Sequence, residues 1–351
     1  MTFSTSLVAL HAAALAERVG EKAASRLSDV QALVGREMLE VEAIVVRHTS
    51  GRSSGGDVAG VPPATNAARH LSGAGGKRVR PMALLLITAC FGPIDVRARE
   101  LAAASELVHM ATLLHDDVID DGDERRGRST SRRLWGNAVS VLAGDLLLVE
   151  ALRLTTRAHA ETSAELVQTL GRLVDGEVMQ LRGRIAVSLE ESTYFEIVRG
   201  KTASLFEWAL RAGTRQAGGS QAAIDALGAF GGHLGVAFQL VDDVLDYVGD
   251  ARVTGKAMLA DLFEGKVTLP LLRAAATDSS LEPLVARVRQ GDTDAAAQIA
   301  ARVQGSGACE AVRDLAQSET ALALAKLEAA PSCPARDILA DVARGLVARI
   351  C

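Results

Sequence analysis

The sequence predicts an all-helical protein. Three observations carry this: Ala and Leu dominate long stretches, only eight prolines punctuate 351 residues, and aromatic side chains make up 3% of the chain. Strand-like alternation of apolar and polar residues is nearly absent, so the remaining hydrophobic period is that of helices. The pattern divides into helices near 6–46, 65–72, 80–91, 96–120, 131–157, 160–184, 190–216, 221–249, 269–290 and 308–348. Pro331 and Pro334 should interrupt the last, because proline removes a helical donor and clashes with the preceding turn. Arg47–Thr65 is rich in Gly and Ser and closes on Pro62 and Pro63, which reads as a flexible linker leaving the first helix loosely tethered. Residues 1–351 are expected to form a single helical domain around that one linker.

Composition excludes several classes of function. Apolar residues at 48% and charged residues at 23% are incompatible with a disordered chain. A net charge of −5 offers no basic excess with which to neutralise nucleic-acid phosphates. The longest apolar run, Met82–Phe91 broken by Thr88, is too short to span a bilayer, so no transmembrane segment is expected. The N-terminus lacks a basic start followed by an apolar block, the mark of a secretory signal. Four scattered cysteines (Cys90, Cys309, Cys333, Cys351) fit a reducing compartment and offer no zinc spacing. The expectation is a soluble cytoplasmic protein.

Chemistry concentrates in a repeated pattern. His115-Asp116-Asp117-Val118-Ile119-Asp120 and Val241-Asp242-Asp243-Val244-Leu245-Asp246 both read Asp-Asp-x-x-Asp, 126 positions apart, each towards the end of an apolar helix. Positions i and i+4 share a helical face, so Asp116 stacks with Asp120 and Asp242 with Asp246. Like charges stacked this way destabilise a helix unless a cation sits between them. Mg2+ suits the arrangement, since it takes one or two protein carboxylates and completes its shell with water and phosphate oxygens. Solvated helix ends could account for one cluster more easily than for a matched pair.

The lysines point the same way. The chain has six (Lys22, Lys77, Lys201, Lys256, Lys266, Lys326), and four of them follow glycine: Lys77, Lys201, Lys256 and Lys266. Glycine lets backbone approach a ligand, and an ammonium is a compact partner for phosphate oxygens. A cation near a helix C-terminus would explain one or two of these, less easily four. Gly200-Lys201-Thr202 is no phosphate-binding P-loop, because Phe195 stands where that motif needs glycine. A His-based metal hydrolase would need more histidines than His109 and His115 supply. Two basic loops, Gly75-Gly76-Lys77-Arg78-Val79-Arg80-Pro81 and Arg125-Arg126-Gly127, lie beside acid-bearing helices and suggest a second anion site next to a metal-held one.

Taken in order, these segments resemble the trans-isoprenyl diphosphate synthases, the polyprenyl synthetase family. The resemblance runs from about Ala68 to Leu272 and includes Gly-Lys-Thr-Ala at 200–203, Phe-Gln-Leu-Val-Asp-Asp-Val-Leu-Asp at 238–246 and Glu-Gly-Lys-Val-Thr-Leu-Pro at 264–270. It implies a bundle of antiparallel helices around a deep central cavity, in a homodimer. It implies isopentenyl diphosphate at Lys77, Arg80, His109 and Arg126, and Mg2+ at Asp116, Asp120 and Asp242, with Asp117, Asp243 and Asp246 supporting. An allylic prenyl diphosphate would meet Arg125, Lys201, Lys256 and Lys266, with Thr202 and Gln239 beside the reacting carbon. The implied reaction is a head-to-tail, all-trans condensation of the two diphosphates.

One departure from the family pattern falls after Lys256. A Gly-Asp-Asp-Leu run is expected there, and this chain has Leu259-Ala260-Asp261-Leu262, which predicts altered loop closure. Upstream of Asp116, Ala104, Val108, Ala111 and Thr112 are small, and Leu146, Leu147, Leu148 and Leu152 could form a cavity floor without aromatics. That favours products of C20 or longer. Two alternatives are a non-catalytic subunit of a heteromeric synthase, which would tend to lose an aspartate motif, and a terpene cyclase, which would not need the second diphosphate loop.

Overall fold

The computed structural model describes residues 21–50, 64–125, 127–185, 190–249 and 259–347. Its architecture is an all-α bundle. The first half comprises α1 (Glu21–Thr49), α2 (Ala64–Ser72), α3 (Val79–Phe91) and α4 (Val96–Ile119). A hairpin of β1 (Glu124–Arg125) and β2 (Arg128–Ser129) pairs antiparallel, Glu124 opposite Ser129. It leads into α5 (Ser131–Trp135), α6 (Asn137–Thr155) and α7 (Ala160–Ile185). The second half runs through α8 (Glu191–Val198), a π-helical turn (Arg199–Ala203), α9 (Ser204–Gln216) and α10 (Gln221–Val248). It closes with α11 (Ala260–Phe263), α12 (Leu269–Thr277), α13 (Leu281–Val288), α14 (Thr293–Gly305), α15 (Ala308–Leu327) and α16 (Pro334–Val347).

Local chemistry sets these boundaries. The Asp95 side chain accepts from the Ala98 amide at 2.8 Å and starts α4; Ser220 does the same for α10 at 3.3 Å. Gly136, at φ 85°, splits the helix expected over 131–157 into α5 and α6. The helix expected over 190–216 is interrupted by the π turn, and α14 occupies a stretch expected to be irregular. Asp292, which accepts from the Ala295 amide at 2.9 Å, is the cap signal that announces α14.

The first helix is not loosely tethered. Val34, Val41, Ile44 and Val45 are buried in the core, and the helix continues through Arg47 and His48 to Thr49. The rest of the expected linker, residues 51–63, lies outside the described residues, as does the helix expected from residue 6 to residue 20. Ion pairs fasten α1 along its length: Glu37 to Arg99 on α4, Glu42 to Arg78, and His48 to Glu150 on α6.

Helix α10 is the axis of the molecule. Leu227, Phe230 and Leu234 join one apolar cluster with α3, α4 and α9, while Leu240, Val244 and Tyr247 join a second with α12 to α15. It is long and apolar enough to cross a membrane by length and composition alone, yet 61% of its apolar window is buried inside the protein, as befits a core helix. Its glycines allow backbones to touch. A Cβ on Gly231 would stand 2.6 Å from the Phe206 carbonyl oxygen, and one on Gly235 would stand 2.5 Å from the Ala203 Cα.

These contacts separate two neighbouring positions. Gly231→Ala should lower stability in urea unfolding by about 1–3 kcal/mol, because rigid backbone has to move. Gly232→Ala meets nothing within 4 Å and should raise stability by about 0.5–1 kcal/mol.

Candidate active site

The middle of helix α4 is buried, but towards its end His109, Thr112, Leu113, Asp116 and the following Asp120 retain solvent access, as do His115, Val118 and Ile119 beside them. Spacings of three and four place the first five on one face, as a stripe. Ala104, Val108 and Ala111 are fully buried, so of the four small residues expected to line a cavity only Thr112 shares the accessible stripe. Leu148 and Leu152 on α6 are half-buried against the core; Leu147 is fully buried.

The six aspartates divide into two classes. Asp116, Asp120 and Asp242 are half-buried, whereas Asp117, Asp243 and Asp246 retain 3%, 1% and 8% of their exposure. The buried three are held by protein donors. Asp117 accepts from Arg125 Nε at 2.8 Å, which folds the hairpin back onto α4. Asp243 accepts from the Tyr194 hydroxyl at 2.6 Å and from Gln239 Nε2 at 2.8 Å, one donor on each oxygen. Asp246 Oδ1 accepts from the Ala260 amide at 3.0 Å. Both Asp243 oxygens are therefore engaged by protein donors.

Lysines bind the two halves together. Lys201 Nζ lies 3.6 Å from Asp116 Oδ2, donates to Gln180 Oε1 at 2.8 Å and pairs with Glu177. Lys266 Nζ lies 3.0 Å from Asp120 Oδ2 and pairs with Glu264, while its amide donates to the Asp261 carbonyl at 2.8 Å. Thr202 Oγ1 donates to Gln239 Oε1 at 2.9 Å, linking the π turn to the second aspartate cluster. The first cluster therefore faces the segments that carry the second. Among the described residues no three His, Cys, Asp or Glu side chains converge on one point, and the ammonium groups stand between the carboxylates.

The π turn aims two of these groups. Gly200 would place a Cβ 2.7 Å from the Arg172 carbonyl oxygen, and Gly176 would place one 2.9 Å from the Lys201 amide. Backbone of α7 thus lies directly on the turn, and the widened helix directs Lys201 and Thr202 towards Asp116 and Gln239. Glu177 and Gln180 on α7 were not singled out in the sequence. Their signal was available as a Glu-x-x-Gln pair directly after Gly176.

Electrostatics follow burial. Burial raises the Asp116 pKa, Glu177 and Asp120 add to the rise, and Lys201 and Lys266 oppose it. Burial also raises Asp117, against Arg125. Asp243 is pushed up to about 7 by burial, then by Asp261 and Asp242, with Tyr194 and Gln239 opposing. Burial alone would lower Lys266, but Glu264, Asp120 and Asp261 hold it above the ordinary lysine value.

The Gly75–Pro81 basic loop lies at the start of α3. Lys77 is exposed, while Arg80 sits with Cζ 4.5 Å from the centroid of the Phe206 ring. Burial brings the Arg80 pKa down to about 10, with Glu106 opposing. His109 is half-buried on the α4 stripe. Arg126 and Lys256 lie outside the described residues. The Leu259-Ala260 departure is accommodated locally: Leu259 takes a left-handed conformation at φ 62°, and its side chain is buried in the second apolar cluster. That conformation costs a non-glycine residue about 1–2 kcal/mol, which leucine burial offsets. A recess of about 310 Å3 between α15 and α16, lined by Leu324, Arg336 and Arg344 among others, is remote from all of these groups.

Comparison with known proteins identifies the class. Residues 61–303 match the polyprenyl synthetase family. The chain is 38% identical over 286 residues to an all-trans-nonaprenyl-diphosphate synthase of Rhodobacter capsulatus, covering 80% of this chain and 88% of that one. It is 35% identical to an octaprenyl diphosphate synthase of Escherichia coli over 284 residues, with the same coverages. Among solved structures, a polyprenyl synthase from Caulobacter crescentus, complexed with calcium and isoprenyl diphosphate, superposes with a TM-score of 0.84 at 35% identity, over 92% of this chain and 98% of that one. The chain belongs to the polyprenyl synthetase family.

The titration of Asp243 gives a test of this geometry. Its native pKa lies above the ordinary aspartate value of 3.8, so the native state binds the extra proton between about pH 4 and pH 7. Stability of chelator-treated protein should therefore fall as pH rises through that window, and Asp243→Asn should flatten the dependence in urea titrations.

Proposed function

We propose that this chain is an Mg2+-dependent transferase that joins isopentenyl diphosphate head-to-tail to an allylic prenyl diphosphate, giving an all-trans product of C20 or longer. The observation that carries the reading is the pairing of Lys201 with Asp116 and of Lys266 with Asp120 at the junction of the two aspartate clusters. A metal diphosphate supplies replacement partners for all four groups at once: cation for the carboxylates, phosphate oxygens for the ammoniums. The donor set fits, being hard carboxylate oxygens, and the burial that raises the Asp116 pKa favours a cation beside it. Asp116, Asp120 and Asp242 would hold the metal. Bound there, Mg2+ would neutralise charge on the diphosphate and so ease its departure.

The chain's own residues do the rest. Lys201, Lys266 and Arg125 hold the allylic diphosphate and receive the charge that develops on its bridging oxygen as the allylic C–O bond breaks. The Thr202 and Gln239 oxygens present negative dipole ends to the allylic carbon. The double bond of isopentenyl diphosphate, held by Lys77, Arg80, His109 and Arg126, attacks that carbon. The departing diphosphate takes the proton then lost, because the neighbouring carboxylates are already committed to cations.

A homodimer is supported by exposed apolar side chains on adjacent helices: Val141, Leu142 and Val149 on α6, and Val167, Val174 and Val178 on α7. Leu142 and Val149 are seven positions apart, as are Val167 and Val174, and Val178 follows four further on, so each helix carries a stripe that a second copy would cover. A heteromeric assembly is the second reading, favoured by the 35% identity to component 2 of a heptaprenyl diphosphate synthase from Geobacillus stearothermophilus.

The purified chain, given Mg2+, isopentenyl diphosphate and an allylic diphosphate, should release diphosphate and form a longer prenyl chain. Activity appearing only with a second protein would favour the heteromeric reading, and turnover without isopentenyl diphosphate would favour a cyclase. Asp116→Ala should lower kcat by about a hundredfold or more. Thr112→Phe, which puts a ring on the accessible stripe one turn before Asp116, should shorten the main product in chromatography, whereas Thr112→Ala should not.

A further inference from the structure

Arg78 stands apart from the other cations of its loop. It is a non-glycine residue in the left-handed region, at φ 48°. Its Nε donates to Glu42 Oε1 on α1 at 2.6 Å, and its second guanidinium nitrogen donates to Glu106 Oε1 on α4 at 2.5 Å. Glu106 is 3% exposed, and removing Arg78 would leave a buried carboxylate without its hydrogen-bond donor. The same carboxylate supports the positive charge of Arg80, whose guanidinium is enclosed against Phe206 and whose Nε is buried without a hydrogen-bond acceptor among the described residues. One buried acid thus serves two arginines, and a surface helix supplies the second acid.

We propose that Arg78 is a positioning residue and that Glu42, on the N-terminal helix, is its anchor: together they fix the Gly75–Pro81 loop so that Lys77 and Arg80 meet the isopentenyl diphosphate. This rests on the assignment of that loop to the non-allylic substrate. Neither Arg78 nor Glu42 touches substrate. Their effect passes through the backbone, because Arg78 reaches both acids from a left-handed turn that the two bonds hold in place. The N-terminal helix then has a specific task. Its other ion pairs, Glu37 with Arg99 and His48 with Glu150, dock it on α4 and α6, and Glu42 is the contact that reaches the loop.

The test is steady-state kinetics on the full-length protein with each substrate varied in turn. Glu42→Gln keeps the shape and removes the charge of a partly exposed side chain, so folding should survive it; thermal unfolding confirms that. The expected result is a KM for isopentenyl diphosphate raised about tenfold, with kcat and the KM for the allylic diphosphate within about twofold of the parent. Glu42→Asp should recover part of the affinity, and Glu37→Gln, which loosens the same helix elsewhere, should leave the isopentenyl KM unchanged. Lys77→Ala separates the two claims. If it leaves that KM unchanged, the loop assignment fails and the proposal with it. If Lys77→Ala raises the KM while Glu42→Gln does not, or if Glu42→Gln and Glu37→Gln act alike, the clamp is wrong and the loop assignment stands.

Discussion

A carboxylate inside an apolar bundle has to find a counter-charge or a set of donors, and this requirement organises the molecule. Six aspartates lie near the ends of α4 and α10, two of the most buried helices in the chain. Asp117, Asp243 and Asp246 are satisfied by Arg125, by Tyr194 with Gln239, and by the Ala260 amide. Each of these bonds draws in another element: the hairpin, α8 and the start of α11. Asp116 and Asp120 are held by lysines from the π turn and from the loop before α12. The irregular segments of the fold are located where buried negative charge needs them.

The same requirement explains why scarce lysines sit where they do. An arginine at position 201 or 266 would form planar, bidentate pairs with its carboxylates and would exchange them reluctantly. A lysine makes a point contact that can pass from carboxylate to phosphate as a metal diphosphate arrives. Arginine appears instead where the pairing ties one structural element to another away from the diphosphate: Arg78 with Glu42 and Glu106, and Arg211 and Arg215 with Glu165.

The helical class, most helix boundaries and the two aspartate clusters were legible in the sequence, because helical periodicity and i, i+4 spacing are local properties. What was not legible depended on contacts between distant segments. The division of the aspartates into half-buried and internally bonded sets needs Tyr194, Gln239 and Arg125, which no spacing rule connects to them. The π turn follows from Gly176 and Gly200 meeting across two helices, so the sequence of either segment alone reads as plain helix. Glu177 was passed over for the same reason: its partner Lys201 comes from another helix. The docking of α1 was obscured by a Gly- and Ser-rich stretch that says nothing about the apolar face before it.

Helix α4 carries Glu106, which supports the loop assigned to one diphosphate, and Asp116, which belongs to the site assigned to the other. Asp116 lies ten positions beyond Glu106 along uninterrupted helix. Each residue advances an α-helix by about 100° and 1.5 Å, so inserting or deleting one residue between them would swing one charge round the axis relative to the other. Length variation can therefore be absorbed in the turns at either end of α4 but not inside it, and the two halves of the reaction are kept in phase by the pitch of a single rod.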